Sequence, residues 1–154
     1  MPVAGISPRD AAEFIEWLRV SGRVPTARFC SETEWERGAR GADDRIYPHG
    51  NQLKGEDANI DSTYGRSAAS FGPDEVGAHP TSDSPFGLHD MAGNVIEIVR
   101  SELGGGTFIG KGGGYYHDAL SARLTNRIAI DDAVRFHTIG LRVCADVSAA
   151  TGGP

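Results

Sequence analysis

The chain is poor in cysteine, in positive charge and in long apolar runs. Only Cys30 and Cys144 occur in 154 residues, which excludes a disulfide-dense scaffold and a four-cysteine zinc site. The two could pair if the fold brings them together, and two buried thiols are the default expectation. No stretch approaches the length of a membrane span. No basic, apolar and small-residue leader precedes the first helical pattern, so nothing signals export and a cytoplasmic location is expected. The formal net charge of −6 argues against a sequence-independent hold on nucleic acid or on an anionic membrane surface. Lysine is scarce beside arginine, a skew that reads as codon usage rather than function. The sequence contains neither G-x-S-x-G nor H-E-x-x-H, and its five histidines are scattered at spacings that do not suit a metal cage.

What is present is one domain's worth of chain with an ordinary apolar share of 39% and 21 glycines, which implies many tight turns and few long helices. Ser7-Pro8-Arg9-Asp10 has the form of a helix start, with Ser as cap, Pro at the first helical position and Asp three residues after the cap. Ala11, Phe14, Ile15 and Leu18 follow on one helical stripe, and Gly22 ends the pattern. Ser31-Glu32-Thr33-Glu34 opens a second short helix through Trp35 and Ala39 to Gly41, with Trp35 expected in the core. Between Arg40 and Pro80 periodicity fades into ordered loops, which at this length are usually functional or pinned by an ion or by packing. Thr107 to Tyr116, Ala122 to Ile130 and Thr138 to Val143 then read as three strands. Residues 148–154 read as a disordered small-residue tail.

The most informative stretch is Gly87-Leu88-His89-Asp90-Met91-Ala92-Gly93-Asn94-Val95-Ile96-Glu97-Ile98. Gly93 and Asn94 suit backbone angles that β-branched residues avoid, so a tight turn precedes a half-buried strand. Asp90 and Glu97 place hard oxygens on either side of it, with main-chain carbonyls between. That donor set suits Ca²⁺.

Other patterns fail on inspection. Gly105-Gly106-Thr107-Phe108-Ile109-Gly110-Lys111 imitates a phosphate-binding loop, but Gly112 stands where Ser or Thr should bind Mg²⁺, and Gly112-Gly113-Gly114 cannot start a helix. Glycines that let a strand approach another backbone explain the run better. His89-Asp90 and His117-Asp118 could suggest a metal-dependent hydrolase, but the scattered histidine spacings argue against it, and neither cysteine has a recognisable catalytic partner in sequence. Arg123, Arg127, Arg135 and Arg142, with Asp131, Asp132 and Asp146, suit either a structural ion-pair network or a polar ligand face. The network is the favoured reading for Arg127 and Arg142.

Several motifs then fall in a family order: Pro25-Thr26, Glu34-Trp35-Glu36-Arg37-Gly38-Ala39-Arg40-Gly41, Tyr47-Pro48-His49-Gly50-Asn51, Ala58-Asn59-Ile60, Pro85 through Glu97, Gly112-Gly113-Gly114-Tyr115 and Ile139-Gly140-Leu141-Arg142-Val143. Together they resemble the formylglycine-generating enzyme, or sulfatase-modifying factor, superfamily, over a domain spanning residues 1–147. The resemblance implies an α+β, loop-rich variant of the C-type lectin fold, with two short helices early and antiparallel strands late. It also implies a calcium site in which Asp90 and Glu97 bind through side chains, and Gly93 and Val95 through carbonyls. Asn59 and Ile60 match part of a second calcium site whose completing Asp-Gly-Phe has no clear counterpart here.

Departures from the family pattern bear on function. The oxidase uses two cysteines beyond the Gly-Gly-Ser motif to bind Cu(I), a soft ion suited to thiolates. Here His117 occupies the first position and no cysteine lies between Gly112 and Arg127. No copper is therefore expected. The resemblance then implies a non-catalytic module that binds a protein or a small polar ligand, as in cysteine-less relatives attached to bacterial kinases or diversified by retroelements. Its binding face would comprise Tyr115, Tyr116, His117, Asp118, Leu120, Ser121, Arg135 and His137. An oxygen-dependent enzyme with a different metal arrangement around His117 is the alternative. Residues 2–7 resemble the middle of the family domain, so the expectation is either a trimmed or naturally short version or a partner domain supplying a first strand and helix, since an uncovered sheet edge attracts pairing.

Overall fold

The computed structural model describes residues 1–65, 67, 69–103 and 106–147. The expected disordered tail lies outside the described residues. Helix α1 (Pro8–Val20) starts where the sequence places it. Asp10 N donates to Ser7 Oγ at 3.2 Å, and Ser7 N donates to Asp10 Oδ2 at 2.8 Å, closing a capping box. Helix α2 (Glu32–Arg40) repeats the device with Ser31 and Glu34, and Gly41 ends it with a positive φ of 75°. Strand β1 (Ala27–Phe29) runs between the helices. On α1, Ala11 and Ile15 are buried as the stripe requires, whereas Phe14 remains exposed and stacks on Trp17, ring centroids 5.6 Å apart.

The later strands are β2 (Ile96–Arg100), β3 (Phe108–Lys111), β4 (Ile128–Ile130), β5 (Ile139–Leu141) and β6 (Val143–Ala145). The strands expected over residues 107–116 and 122–130 are shortened to β3 and β4, and the one expected over 138–143 is divided between β5 and β6. Gly112 and Gly113, at φ 82° and 69°, turn the chain out of the ladder after Lys111, and residues 122–127 form turns rather than strand. One sheet has the order β4-β3-β2-β5, and β1 pairs with β6. The late strands are not all antiparallel: β5 runs parallel to β2, with Ile96 opposite Ile139. Because β4 and β5 occupy opposite edges, residues 131–138 must cross over the sheet to join them. The outer side of β5 is covered by the chain itself, as Gly5 N donates to Ile139 O at 3.0 Å. A Cβ on Gly140 would meet the Val3 carbonyl oxygen at 2.5 Å, so this approach requires glycine.

Strand alternation divides the core. Ile96 and Ile98 point towards Ala11, Ile15, Ala27 and Phe29. Val99 points to the other side, with Trp35, Met91, Ile109 and Leu124. Burying side chains such as Ile98 or Val99, both at 0% exposure, contributes about 2 kcal/mol each. No helix among the described residues is long and apolar enough to cross a membrane.

Candidate functional site

The Gly87–Ile98 stretch is the hub of the loop region. Asp90, Gly93 and Asn94 all adopt positive φ (57°, 79° and 63°). Gly93 N donates to Gly112 O at 2.8 Å, Asn94 N to Asn59 O at 2.7 Å, and Tyr115 N to Asn94 O at 2.9 Å. One turn thus stitches together three segments far apart in sequence. A Cβ on Gly93 would collide with the Asn59 carbonyl.

The first set of proposed calcium ligands is brought together. Asp90, Val95 and Glu97 line one cleft of about 340 Å³ with Asn94 and Arg142, and Gly93 lies in the turn between them. Asp90 Oδ2 accepts from Gly77 N at 2.9 Å. Glu97 is buried and takes three donors: Trp35 Nε1 at 2.6 Å, Arg142 Nε at 2.8 Å and Arg142 Nη2 at 2.7 Å. Burial works against the Arg142 charge, but the Glu97 carboxylate outweighs it and raises its pKa above the ordinary arginine value. Two accepted bonds fall on Glu97 Oε2 and one on Oε1, so the Arg142 cation engages both carboxylate oxygens. Among the described residues no group of three or more His, Cys, Asp or Glu converges. An ion here would depend on main-chain oxygens as well as on Asp90 and Glu97, and it would share Glu97 with the Arg142 cation.

Asn59 and Ile60 are occupied structurally. The Asn59 carbonyl takes the Asn94 N–H, its Nδ2 donates to Gly72 O at 2.9 Å, and the Ile60 carbonyl accepts from Thr63 N at 3.0 Å. The loop also delivers an acidic residue that sequence reasoning missed. Asp74 N donates to Asn94 Oδ1 at 2.9 Å, and Asp74 Oδ2 accepts from Tyr64 Oη and lies 2.8 Å from His79 Nε2. That contact raises the Tyr64 pKa, since its hydroxyl proton is held by a carboxylate. Asp74 stands 20 residues from Asn94, and nothing in the spacing signals their approach.

The expected binding face is gathered in part. Tyr116 is 57% exposed, yet its ring lies 5.4 Å from Phe71, 6.2 Å from His117 and 6.3 Å from His137. Tyr115 is a core residue under this cluster, edge-on to Phe71 at 5.3 Å, and burial raises its pKa. Asp118, Leu120 and Ser121 form an adjacent turn in which Ser121 N donates to Asp118 Oδ1 at 2.8 Å; Leu120 is exposed. Arg135 departs from expectation, because its guanidinium is committed to Asp10 at the start of α1, Nε to Oδ2 2.7 Å. Phe71 belongs to the face but was not singled out in the sequence, where it reads as loop. Arg127 and Arg142 hold structural ion pairs, with Glu32 and Glu97. Lys111, fully buried, pairs with Glu36 at 2.7 Å and lies over the Trp35 ring, a placement its glycine-rich neighbours did not suggest.

The cysteines correct the default of two buried thiols. The β1–β6 register sets Arg28 opposite Cys144 and Phe29 opposite Val143, and Cys30 is bonded to Cys144 with Cα atoms 4.9 Å apart. The chain has no other cysteine. A copper centre built from two thiolates does not fit a residue set whose two cysteines are bonded to each other.

Residues 1–147 match the family described as the sulfatase-modifying factor enzyme 1-like domain. The chain is 33% identical over 104 residues to a serine/threonine-protein kinase, pkn1, of Chlamydia pneumoniae, and 32% identical to its Chlamydia caviae counterpart. Each match covers 67% of this chain and 14% of the kinase, so the chain corresponds to a small part of those proteins. Among solved structures, variable protein 1 of Treponema denticola superposes with a TM-score of 0.77 at 18% identity, covering 92% of this chain and 70% of that one. PvdO of Pseudomonas aeruginosa superposes with a TM-score of 0.78 at 24% identity, covering 96% and 62%. These likenesses carry the fold, an α+β arrangement of the formylglycine-generating and C-type-lectin-like kind. With the match running from the N-terminal segment through the last strand, the chain belongs to the sulfatase-modifying factor enzyme 1-like domain family.

Proposed function

We propose that this domain is a non-catalytic binding module that engages a protein or a small polar ligand through the Phe71, Tyr116, His117 and His137 face. The observation that carries the reading is Tyr116: an exposed aromatic ring held between three others. Such a ring offers large contact area and loses little entropy on binding. The pairing of both cysteines supports the same reading, because thiolate copper chemistry has no ligands left. The oxidase alternative would need a metal at His117, and no cluster of three or more ligating side chains gathers there among the described residues.

The kinase relatives and the likeness to a Treponema variable protein support a place in a bacterial signalling, defence or retroelement-diversified system. There the domain would recognise a partner while chemistry resides elsewhere. A partner domain docking on α1 belongs to the same proposal, supported by the exposed Phe14, Trp17 and Val20 on that helix. Structural Ca²⁺ at Asp90, Gly93, Val95 and Glu97 would stiffen the turn beneath the face. Disulfides persist in oxidising compartments and are reduced in the cytoplasm, so the compartment decides whether Cys30 and Cys144 work as a bridge.

The test has two arms. Copper-loaded protein with a cysteine-containing peptide should consume no oxygen, and turnover with stoichiometric copper would overturn the proposal. Immobilised protein should capture a partner from a lysate of its source organism, and the Tyr116→Ala/His137→Ala variant should not. Equal capture by both would remove the face from the proposal.

A further inference from the structure

A second cleft, of about 360 Å³, lies beneath the 131–138 crossover. The starts of β2 and β5 and the strand β4 contribute Ile96, Ile139 and Ile130 to its walls, and Val134 and Phe136 stand about half exposed at its edge. Its size falls within the range of small-molecule sites. Two of its lining residues each carry a buried polar atom without a hydrogen-bond partner, Thr138 Oγ1 and His117 Nδ1. Thr138 is wholly buried. Its carbonyl is used by Ile96 N at 2.7 Å, so the carbonyl is satisfied while the hydroxyl is not. A buried hydroxyl left unpaired costs about 1–3 kcal/mol, and a threonine kept there in place of valine calls for an explanation.

We infer that this cleft is a binding site for a small, mostly apolar, uncharged molecule carrying a hydroxyl group, which hydrogen-bonds Thr138 Oγ1 and His117 Nδ1. A hydroxyl both donates and accepts, so it satisfies the threonine and either tautomer of the histidine. Burial lowers the His117 pKa and favours the neutral ring. An acidic ligand is disfavoured because Asp131 also lines the cleft and the whole chain is negative. The isoleucine walls take the apolar body. The site is separate from the Tyr116 face, although His117 borders both, and the variants below leave Tyr116 and His137 intact.

The test uses p-cresol and toluene, which differ by one hydroxyl, added to the full chain with methyl-labelled isoleucine and threonine and followed by NMR. p-Cresol should shift the Ile96, Ile130 and Thr138 methyls and bind at least tenfold tighter than toluene. Thr138→Val should reduce that preference about tenfold, and toluene affinity should stay within twofold. The same variant should unfold at an equal or higher temperature when ligand-free, since an unsatisfied hydroxyl has been removed. Equal affinity for the two probes would overturn the inference. So would unperturbed cleft methyls, an unchanged preference in Thr138→Val, or a loss of stability in that variant. His117→Ala should weaken p-cresol binding, and Thr138→Val, which lies outside the Tyr116 face, should leave capture by that face unaltered.

Discussion

Glu97 and Arg142 form a two-pronged ion pair across strands β2 and β5 and the residue after it, with Arg142 Nη2 2.7 Å from Glu97 Oε1 and Nε 2.8 Å from Oε2. The Glu97 side chain is 7% exposed and that of Arg142 27%. Removing one partner leaves a desolvated charge without its answer. Glu97→Gln and Arg142→Met should each lose about 3 kcal/mol of stability in urea unfolding. The double variant should recover part of that loss, and additive losses would show that the two groups act independently.

The proposed calcium makes a separate prediction. Calcium in hundredfold excess over its Kd should raise stability by about 2.7 kcal/mol, and Asp90→Asn should abolish most of the rise. Magnesium should not substitute, because it is held reluctantly by flexible carbonyl sites. Thermal unfolding in EGTA, Ca²⁺ and Mg²⁺ measures this. Identical curves in all three would remove calcium from the proposal.

The Cys30–Cys144 bridge closes a loop of 114 residues. Chain-entropy reasoning gives about 5 kcal/mol for a loop of that length. Reduction, or the Cys30→Ala/Cys144→Ala variant, should lower the urea midpoint accordingly. A shift below a quarter of that would mean that the β1–β6 pairing persists in the unfolded ensemble.

Acid should weaken one junction in a defined window. Arg28 hydrogen-bonds Glu34 and, with the help of the Ser31 N–H, holds its pKa down at about 2 against the ordinary 4.5. A depressed carboxylate contributes stability that is complete above its unfolded pKa and disappears as pH falls through the folded value. The stability difference between wild type and Glu34→Gln should therefore be constant above about pH 5 and shrink towards pH 2. Its size is modest, since both partners are more than a third exposed. A difference that grows on acidification would contradict the assignment.

Two glycines separate backbone strain from collision. Gly22 and Gly93 have similar positive φ, 72° and 79°. A Cβ on Gly22 meets nothing within 4 Å, whereas one on Gly93 runs into the Asn59 backbone. Gly22→Ala should cost about 1 kcal/mol. Gly93→Ala should cost more than 3 kcal/mol and should disturb Asn59 and Tyr115 in amide NMR spectra, because the stitching of three loops depends on that contact. Equal costs would show that the loops yield.

What the sequence determined by itself is local. Capping boxes, the helical stripe on α1, the tight turn at Gly93-Asn94 and the start of β2 depend on neighbours within a few residues, so their signals are readable along the chain. The family motifs added the fold, and the Asp90–Glu97 turn came with them. Tertiary structure alone decided the rest. Strand ends were set by positive-φ glycines acting against β propensity, and the parallel β2–β5 pair by a crossover no periodicity encodes. The same holds for the contacts made across long separations: the cysteine bridge, the approach of Asp74 to Asn94, the withdrawal of Arg135 to Asp10, and the meeting of Thr138 with His117 in one cleft. A long-range contact leaves no period in a single sequence, because its energy is shared between residues whose spacing is set by the loops between them.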